Sequence, residues 1–283
     1  MNLYRWALIK RTKEYQEENW SKSSIFFAPH QDDETLGCGG TIARKIAAGA
    51  SVAIVFMTDG SGSHAHLMSS KRLKEIRAKE AVEAAKVLGV DPARVLFLEF
   101  PDGQLSNFQE QGVEKVAEIL QQYQPQEVFV PYHRDVIADH ITTNKIAIAA
   151  LQKIGLAATV YEYPIWFWRH FPWTGWGSSL KEALSVLKSS VYAGFGLGML
   201  KDFQCRVSID TVLSRKQEAL AQHKSQMERL LSDCNWIILQ DLVKGDFLNC
   251  FLQNYELFHR RSIKPRFAKS EVGNMKLEET IDS

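Results

Sequence analysis

Between residues 24 and 163 the chain alternates short apolar runs with longer stretches in which apolar positions recur every three or four residues. The runs at 24–28, 51–57, 95–100, 127–131 and 158–163 predict strands, the first of them fully buried. The stretches at 39–48, 69–88, 113–123 and 139–154 carry helical spacing; in the second, Leu73, Ile76, Ala81, Ala84 and Ala85 recur among Lys, Arg and Glu. Gly49 and Gly89 directly follow two of these stretches, where a helix C-cap favours glycine. Strand and helix in strict alternation predict an α/β fold, a mostly parallel sheet with helices on both faces. Beyond Pro164 the pattern loosens into an aromatic loop, a helix from Leu180 and a polar, helical-looking segment at 214–231. The expected organisation is an N-terminal helical extension at 1–23, one main domain at 24–264 that ends in a helical extension, and a polar tail at 265–283 with little core of its own.

Composition narrows the function classes. With 45% hydrophobic and 24% charged positions, 283 residues suffice for one substantial core. A formal net charge of +1 offers no broad basic field for nucleic acid or an anionic membrane, so nucleic acid is set aside as a partner. Cys38, Cys205, Cys234 and Cys250 are widely spaced, with no CxxC pair, which fits a reducing compartment. The first twenty residues mix charges throughout and lack the apolar core of a signal peptide. No apolar run of about 18 residues stands out as a membrane span. A cytoplasmic protein is expected, with peripheral membrane contact left open.

Chemistry concentrates at one place. His30, Gln31, Asp32, Asp33 and Glu34 directly follow the first predicted strand and lead into Gly37, Cys38, Gly39 and Gly40. Ligands of open α/β sheets bind at the carboxyl ends of strands, so a histidine and three carboxylates stand where a site is expected. Bunched carboxylates repel one another, and a cation relieves that repulsion; imidazole with carboxylate suits zinc. A catalytic zinc takes three protein ligands, and Asp139 and His140, after the fourth strand, are the best source of the third. The other member of the Asp32 and Asp33 pair is then available as a base. The glycines would let a helix N-terminus approach a ligand, but the neighbouring acids disfavour phosphate. Helix capping would need only one acid. His64, His66, His170, His223 and His259 have no such partners nearby in sequence and are expected to be structural or solvated, while His133 shares a polar loop with His140.

With these residues in hand, the chain resembles the LmbE-like, or PIG-L-like, N-acetylglucosaminyl deacetylases. The family's A-H-P-D-D-E motif and glycine-rich helix start are matched by Ala28, Pro29, His30, Gln31, Asp32, Asp33 and Glu34, with Leu36 to Gly40 following; Gln31 replaces the usual proline. Its T-D-G strand end is matched by Thr58, Asp59 and Gly60, its R-x-x-E helix by Arg77 and Glu80, and its P-D-G turn by Pro101, Asp102 and Gly103. The resemblance covers about the first 165 residues. It implies a Rossmann-like fold, zinc held by His30, Asp33 and His140, and Asp32 as general base, with Arg77 and Asp102 toward the substrate. The implied reaction is removal of an acetyl group from an N-acetylglucosamine-containing glycoside or glycolipid precursor. The family's H-x-D-H motif meets Ile137, Ala138, Asp139 and His140 here, so its first histidine is missing. Either His133 or another group takes that role, or the chain is an inactive sugar-binding relative.

Two further features remain. Lys216, Ala219, Leu220, His223, Ser225 and Gln226 are similar to a family pattern, read either as packing or as completing the cleft or a subunit contact. Trp166, Phe167, Trp168, Phe171, Trp173 and Trp176 crowd one loop, read either as an aromatic core beneath it or, because aromatic faces stack on sugars and settle at membrane interfaces, as a substrate surface that includes Trp166 and Trp168. The expected partner is an N-acetylated amino sugar, with peripheral membrane contact and a homo-oligomer left open. Iron or cobalt could use the same ligands as zinc. A nucleotide enzyme would show a G-x-G-x-x-G fingerprint, which is missing although Asp59 ends the second strand.

Overall fold

The structure is a computed structural model that describes residues 3–231 and 235–263. The chain runs α1 (Leu3–Arg11), β1 (Lys13–Glu14), β2 (Ser24–Ala28), α2 (Asp33–Ala47), β3 (Val52–Thr58), α3 (Ser70–Leu88), β4 (Val95–Phe100), α4 (Gln109–Tyr123), β5 (Glu127–Pro131), α5 (Ala138–Ile154) and β6 (Ala158–Tyr163). It continues through α6 (Leu180–Tyr192), α7 (Leu197–Asp202), β7 (Cys205–Ser208), α8 (Leu213–Gln222), α9 (Lys224–Met227), α10 (Asp246–Phe251) and β8 (Tyr255–Ile263). Eight strands form a sheet in the order β1-β7-β8-β6-β5-β2-β3-β4. The central strands β6, β5, β2, β3 and β4 are parallel, as expected; β8 runs antiparallel to β6 and β7.

Both faces of the sheet are covered, which is why β2 and β3 are apolar at every turn of the pleat. Phe26 and Ala28 join the core beneath α2, α3 and α8, while Ile25 and Phe27 join the one beneath α4 and α5. The chain order places β3 and β4 on one side of β2 and β5 on the other. The connections leaving β2 and β5 therefore diverge, and the crevice this opens at their carboxyl ends is where an α/β sheet takes its ligand.

Four expectations change. Helix α2 begins at Asp33, six residues before the sequence pattern predicted, with Asp33 and Glu34 complementing the positive end of its dipole. Its glycines serve packing, not approach to a ligand: a Cβ on Gly37 would lie 2.3 Å from the Tyr163 ring, and one on Gly40 would lie 2.5 Å from Ile209. The segment at 214–231 breaks at His223 into α8 and α9. The segment Leu180–Asp202, with a mean hydropathy of 1.3, is long and apolar enough to cross a membrane, which the sequence reading passed over. The N-terminal segment contributes β1, which pairs in parallel with β7 at the sheet edge. The polar tail expected at 265–283 lies outside the described residues.

Candidate active site

His30 ends the turn after β2, and Asp33 opens α2 one helical turn on, so backbone geometry alone brings them together. The His30 amide donates to Asp33 Oδ2 at 3.1 Å, and His30 Nδ1 lies 3.2 Å from the same oxygen. From the far side of the crevice, His140 in the first turn of α5 places Nε2 3.3 Å from Asp33 Oδ2. Ligand atoms of His30, Asp33 and His140 all lie within 4.8 Å of one another, so the three residues expected to hold a metal converge.

Each imidazole has its other nitrogen on a carboxylate. His140 Nδ1 lies 3.2 Å from Asp135 Oδ2, and His30 Nε2 lies 3.1 Å from Asp102 and 3.4 Å from Asp139. Such outer carboxylates fix the tautomer and direction of metal-binding histidines. Asp135 is fully buried and was not singled out in the sequence; an acid five residues before a candidate histidine ligand, in the same polar loop, was the available signal.

A second cluster, His30 with Asp102 and Asp139, also lies within ligand distance. Asp139 is already engaged, accepting from the Gly103 amide at 2.7 Å and the Leu105 amide at 3.1 Å. His140 Nε2, by contrast, is buried and makes no hydrogen bond, despite its nearness to Asp33. A buried, unpaired imidazole nitrogen costs about 1–3 kcal/mol unless something binds it, and a cation between His30, Asp33 and His140 would. The donor set fits zinc.

The charges agree. Burial alone would lower the pKa of His30, but hydrogen bonds with Asp102, Asp139 and Asp33 carry it well above its ordinary value. Burial likewise opposes the charge on His140, while Asp33 and Asp135 raise its pKa. Burial pushes Asp33 up, yet His140 and His30 bring it below the usual carboxylate range. The carboxylates around the two imidazoles favour positive charge there, and a divalent cation held at this point would compete with protons for the same nitrogens.

Asp32 sits beside the ligands on a strained backbone, φ 144°, a region that non-glycine residues rarely adopt and that here aims the carboxylate into the cleft. Burial pushes its pKa up to about 6, against the opposing charge of Arg77. Arg77 is buried and held by the protein through both terminal nitrogens: Nη2 donates to the Gln31 carbonyl at 2.7 Å and to Asp32 Oδ1 at 3.3 Å, and Nη1 to the Gly60 carbonyl at 3.1 Å. It positions Asp32 as well as lining the cleft. Gln31, standing for the resemblance's proline, is buried and donates to the Thr58 carbonyl at 2.9 Å, tying the β2 turn to the end of β3.

The cleft encloses about 520 Å³, with His30, Asp32, Asp33 and Asp102 at one side and Ile137, Ile165, Leu242 and Phe247 among the apolar residues facing them. Trp166 lines it, with one face stacked on Phe247 at 5.0 Å. Trp168 does not: its ring is buried in the core, edge-on to Trp173, a correction to the expectation that both tryptophans face substrate. His133 is also not at the cleft; its Nδ1 lies 2.6 Å from the buried Glu162, so it does not stand in for the missing motif histidine. Ile137 lines the cleft where that histidine was expected. His66 is exposed at the rim, while His64 is buried, stacked on Trp236 and bonded to the Ile237 carbonyl at 2.9 Å.

The C-terminal motif locks this floor in place. Lys216 is buried, and its Nζ donates to the Leu36 carbonyl and to Glu256, each at 2.7 Å; Glu256 also accepts from the Gly40 and Thr41 amides of α2 at 2.8 Å. His223 Nε2 lies 3.2 Å from Glu34, and Ser225 donates its amide and hydroxyl to Glu80 at 2.8 and 2.6 Å. Gln226 reaches the cleft itself. The motif therefore packs, and in packing completes one wall.

Fold and site together define a doubly wound α/β protein with a histidine and carboxylate cluster at its topological switch point. Residues 25–151 match the family model for GlcNAc-PI de-N-acetylase, PIG-L. The chain is 32% identical over 111 residues to a diacetylchitobiose deacetylase of Thermococcus kodakarensis, a match spanning 39% of this chain and 40% of that protein. Among solved structures, it resembles a conserved protein from Thermus thermophilus, TT1542, at 28% identity and a TM-score of 0.50, over 72% of this chain and 80% of that one. The N,N'-diacetylchitobiose deacetylase from Pyrococcus horikoshii has the same fold, with a TM-score of 0.60 at 21% identity over 93% of this chain and 94% of its own.

Proposed function

We propose that the chain is a zinc-dependent hydrolase that removes the N-acetyl group from an N-acetylglucosamine-containing glycoside or glycolipid precursor. The observation that carries this reading is the buried, unpaired Nε2 of His140 facing Asp33 and His30. The PIG-L match and the T. kodakarensis relative support the acetyl group as the target. Zinc held by His30, Asp33 and His140 supplies Lewis acidity toward an amide carbonyl and toward water.

The chain's own residues do the rest. Asp32, held by Arg77 at the edge of the cleft, accepts a proton from the attacking water and returns it to the departing sugar nitrogen, giving acetate and a free amine. A carboxyl pushed up to about 6 exchanges protons in both directions near neutrality. Asp102 lies beside His30 at the mouth and is placed to orient sugar hydroxyls; Trp166 offers its open face to the ring. The apolar wall around Ile137, Leu242 and Phe247 accepts an apolar aglycone.

A second reading, an inactive sugar-binding relative, is favoured by Ile137 in the cleft wall and by His133 turned to Glu162. Elemental analysis of the purified protein and of His140→Ala, followed by acetate assay on N-acetylglucosamine glycosides, separates the two. About one zinc per chain, lost in the variant, together with acetate release supports the hydrolase. Metal without acetate from any glycoside makes the chain the binding relative. No metal, even after zinc is supplied, overturns the site.

A further inference from the structure

Exposed apolar side chains are not scattered over the molecule. Of the fourteen large ones exposed among the described residues, eleven fall within 3–11 and 171–197, so one region carries them. On α6, Leu180, Leu184, Leu187 and Val191 are 78, 57, 41 and 63% exposed. Their spacing of four, three and four residues makes a single stripe along the helix. Phe195 and Leu197 extend it past the break, and Phe171 and Trp176 stack on each other at 5.6 Å beside it, the Phe171 amide bonded to Ser190 of α6. Helix α1 packs on α7, and Trp6 is exposed there under the Lys10 ammonium.

Beside the stripe lies a cleft of about 440 Å³ lined by Arg11, Arg134 and Lys201 together with Val191, Tyr192 and Leu197, and by no acidic side chain. Arg134 lies over the Tyr192 ring at 5.6 Å, with Asp202 behind it at 3.5 Å. A net charge near zero conceals this local collection of cations.

We propose that this face docks the protein on an anionic lipid surface, α6 lying in the interface with its stripe among the acyl chains and Arg11, Arg134 and Lys201 taking lipid phosphates. Helix α6 has 13 residues, about 20 Å, too short to cross a hydrocarbon core of about 30 Å, and positive φ at Gly194, Phe195 and Gly196 separates it from α7; it lies on a membrane and does not span one. Tryptophan and tyrosine at the edge of an apolar stripe, with basic residues alongside, are the composition of an interfacial helix. A two-fold contact with a second copy would instead bring one cationic cleft against another. The docked face adjoins the active-site cleft: Glu182 of α6 accepts from the Val243 amide at 2.8 Å, and the neighbouring Leu242 lines that cleft.

The test is flotation of the full chain with phosphatidylcholine vesicles and with vesicles that also contain phosphatidylglycerol, and it does not depend on the reaction. The protein is expected to float with the anionic vesicles, and Leu184→Glu with Val191→Glu, both at exposed positions, to stay unbound. Arg11→Gln with Lys201→Gln is expected to weaken binding on the order of 10-fold. All variants should keep the wild-type circular dichroism spectrum and metal content. Wild-type protein that ignores anionic vesicles overturns the proposal, as does a dimer in light scattering that the glutamate pair dissociates, or undiminished binding by the glutamine pair.

Discussion

Two groups of residues meet at the active-site cleft, and they differ in which part of the chain supplies them. His30, Asp32, Asp33, Asp139 and His140 come from the ends of β2 and β5, and each is set by a local turn or a helix start. Lys216, His223, Ser225 and Glu256 reach them from the last third of the chain, and touch Leu36, Glu34, Glu80 and the amides of α2. His30, Asp32 and Asp33 of the first group line the cleft, with Asp139 and His140 buried against them, whereas Lys216, His223, Ser225 and Glu256 are buried and do not line it. The difference separates chemistry from rigidity, and substitutions in the two groups should therefore fail in different assays.

The largest effect belongs to the first group. Asp32→Asn is expected to lower kcat/KM by about 10²–10⁴-fold while leaving metal content and melting temperature near wild type. Because the base must be ionised, wild-type activity falls as pH drops through its pKa, raised to about 6 by burial and lowered by any cation beside it. The acid limb of the kcat/KM profile should then lie at or below about pH 6 and vanish from the residual activity of Asp32→Asn. A limb well above 7 would assign the base elsewhere.

The second group should fail in stability. Lys216→Met leaves the carboxylate of Glu256 buried without its cation and is expected to cost about 3–5 kcal/mol, measured by urea denaturation. A loss below 1 kcal/mol would remove the distinction between the groups. Ser225→Ala deletes the hydroxyl's bonds to Glu80 and from Gln226 while the backbone bond to Glu80 stays, so about 2 kcal/mol is expected, with kcat nearly unchanged.

The same division explains what was legible in the sequence. The strands at 95–100, 127–131 and 158–163 stand where the apolar runs predicted them; the last two are buried almost throughout, while the edge strand at 95–100 buries only Val95 and Phe100. The convergence of His30, Asp33 and His140 followed from placing two strand ends at one sheet edge. The start of α2 was hidden because glycines usually interrupt helices, whereas here they admit Tyr163 and Ile209. Strand β8 was missed because only its first half is apolar: Tyr255 to Phe258 are buried, while His259 to Ile263 alternate toward solvent. Aromatic density marked the loop after β6 but could not tell Trp166, which faces the cleft, from Trp168, which faces the core. Contacts such as Lys216 with Glu256 join residues whose pairing no local pattern specifies.

Asp135 does more than orient His140. The oxygen that lies 3.2 Å from His140 Nδ1 also accepts from the amides of Ile165 and Trp166, each at 3.2 Å. One buried atom therefore joins the proposed metal ligand His140 to the backbone that carries Trp166 at the cleft. Any sugar that shifts Trp166 pulls on the bond that aims His140, and linkage runs both ways: what tightens the metal must favour the loop position that receives the sugar. On the proposed function, metal affinity and substrate affinity would then be coupled through this one carboxylate.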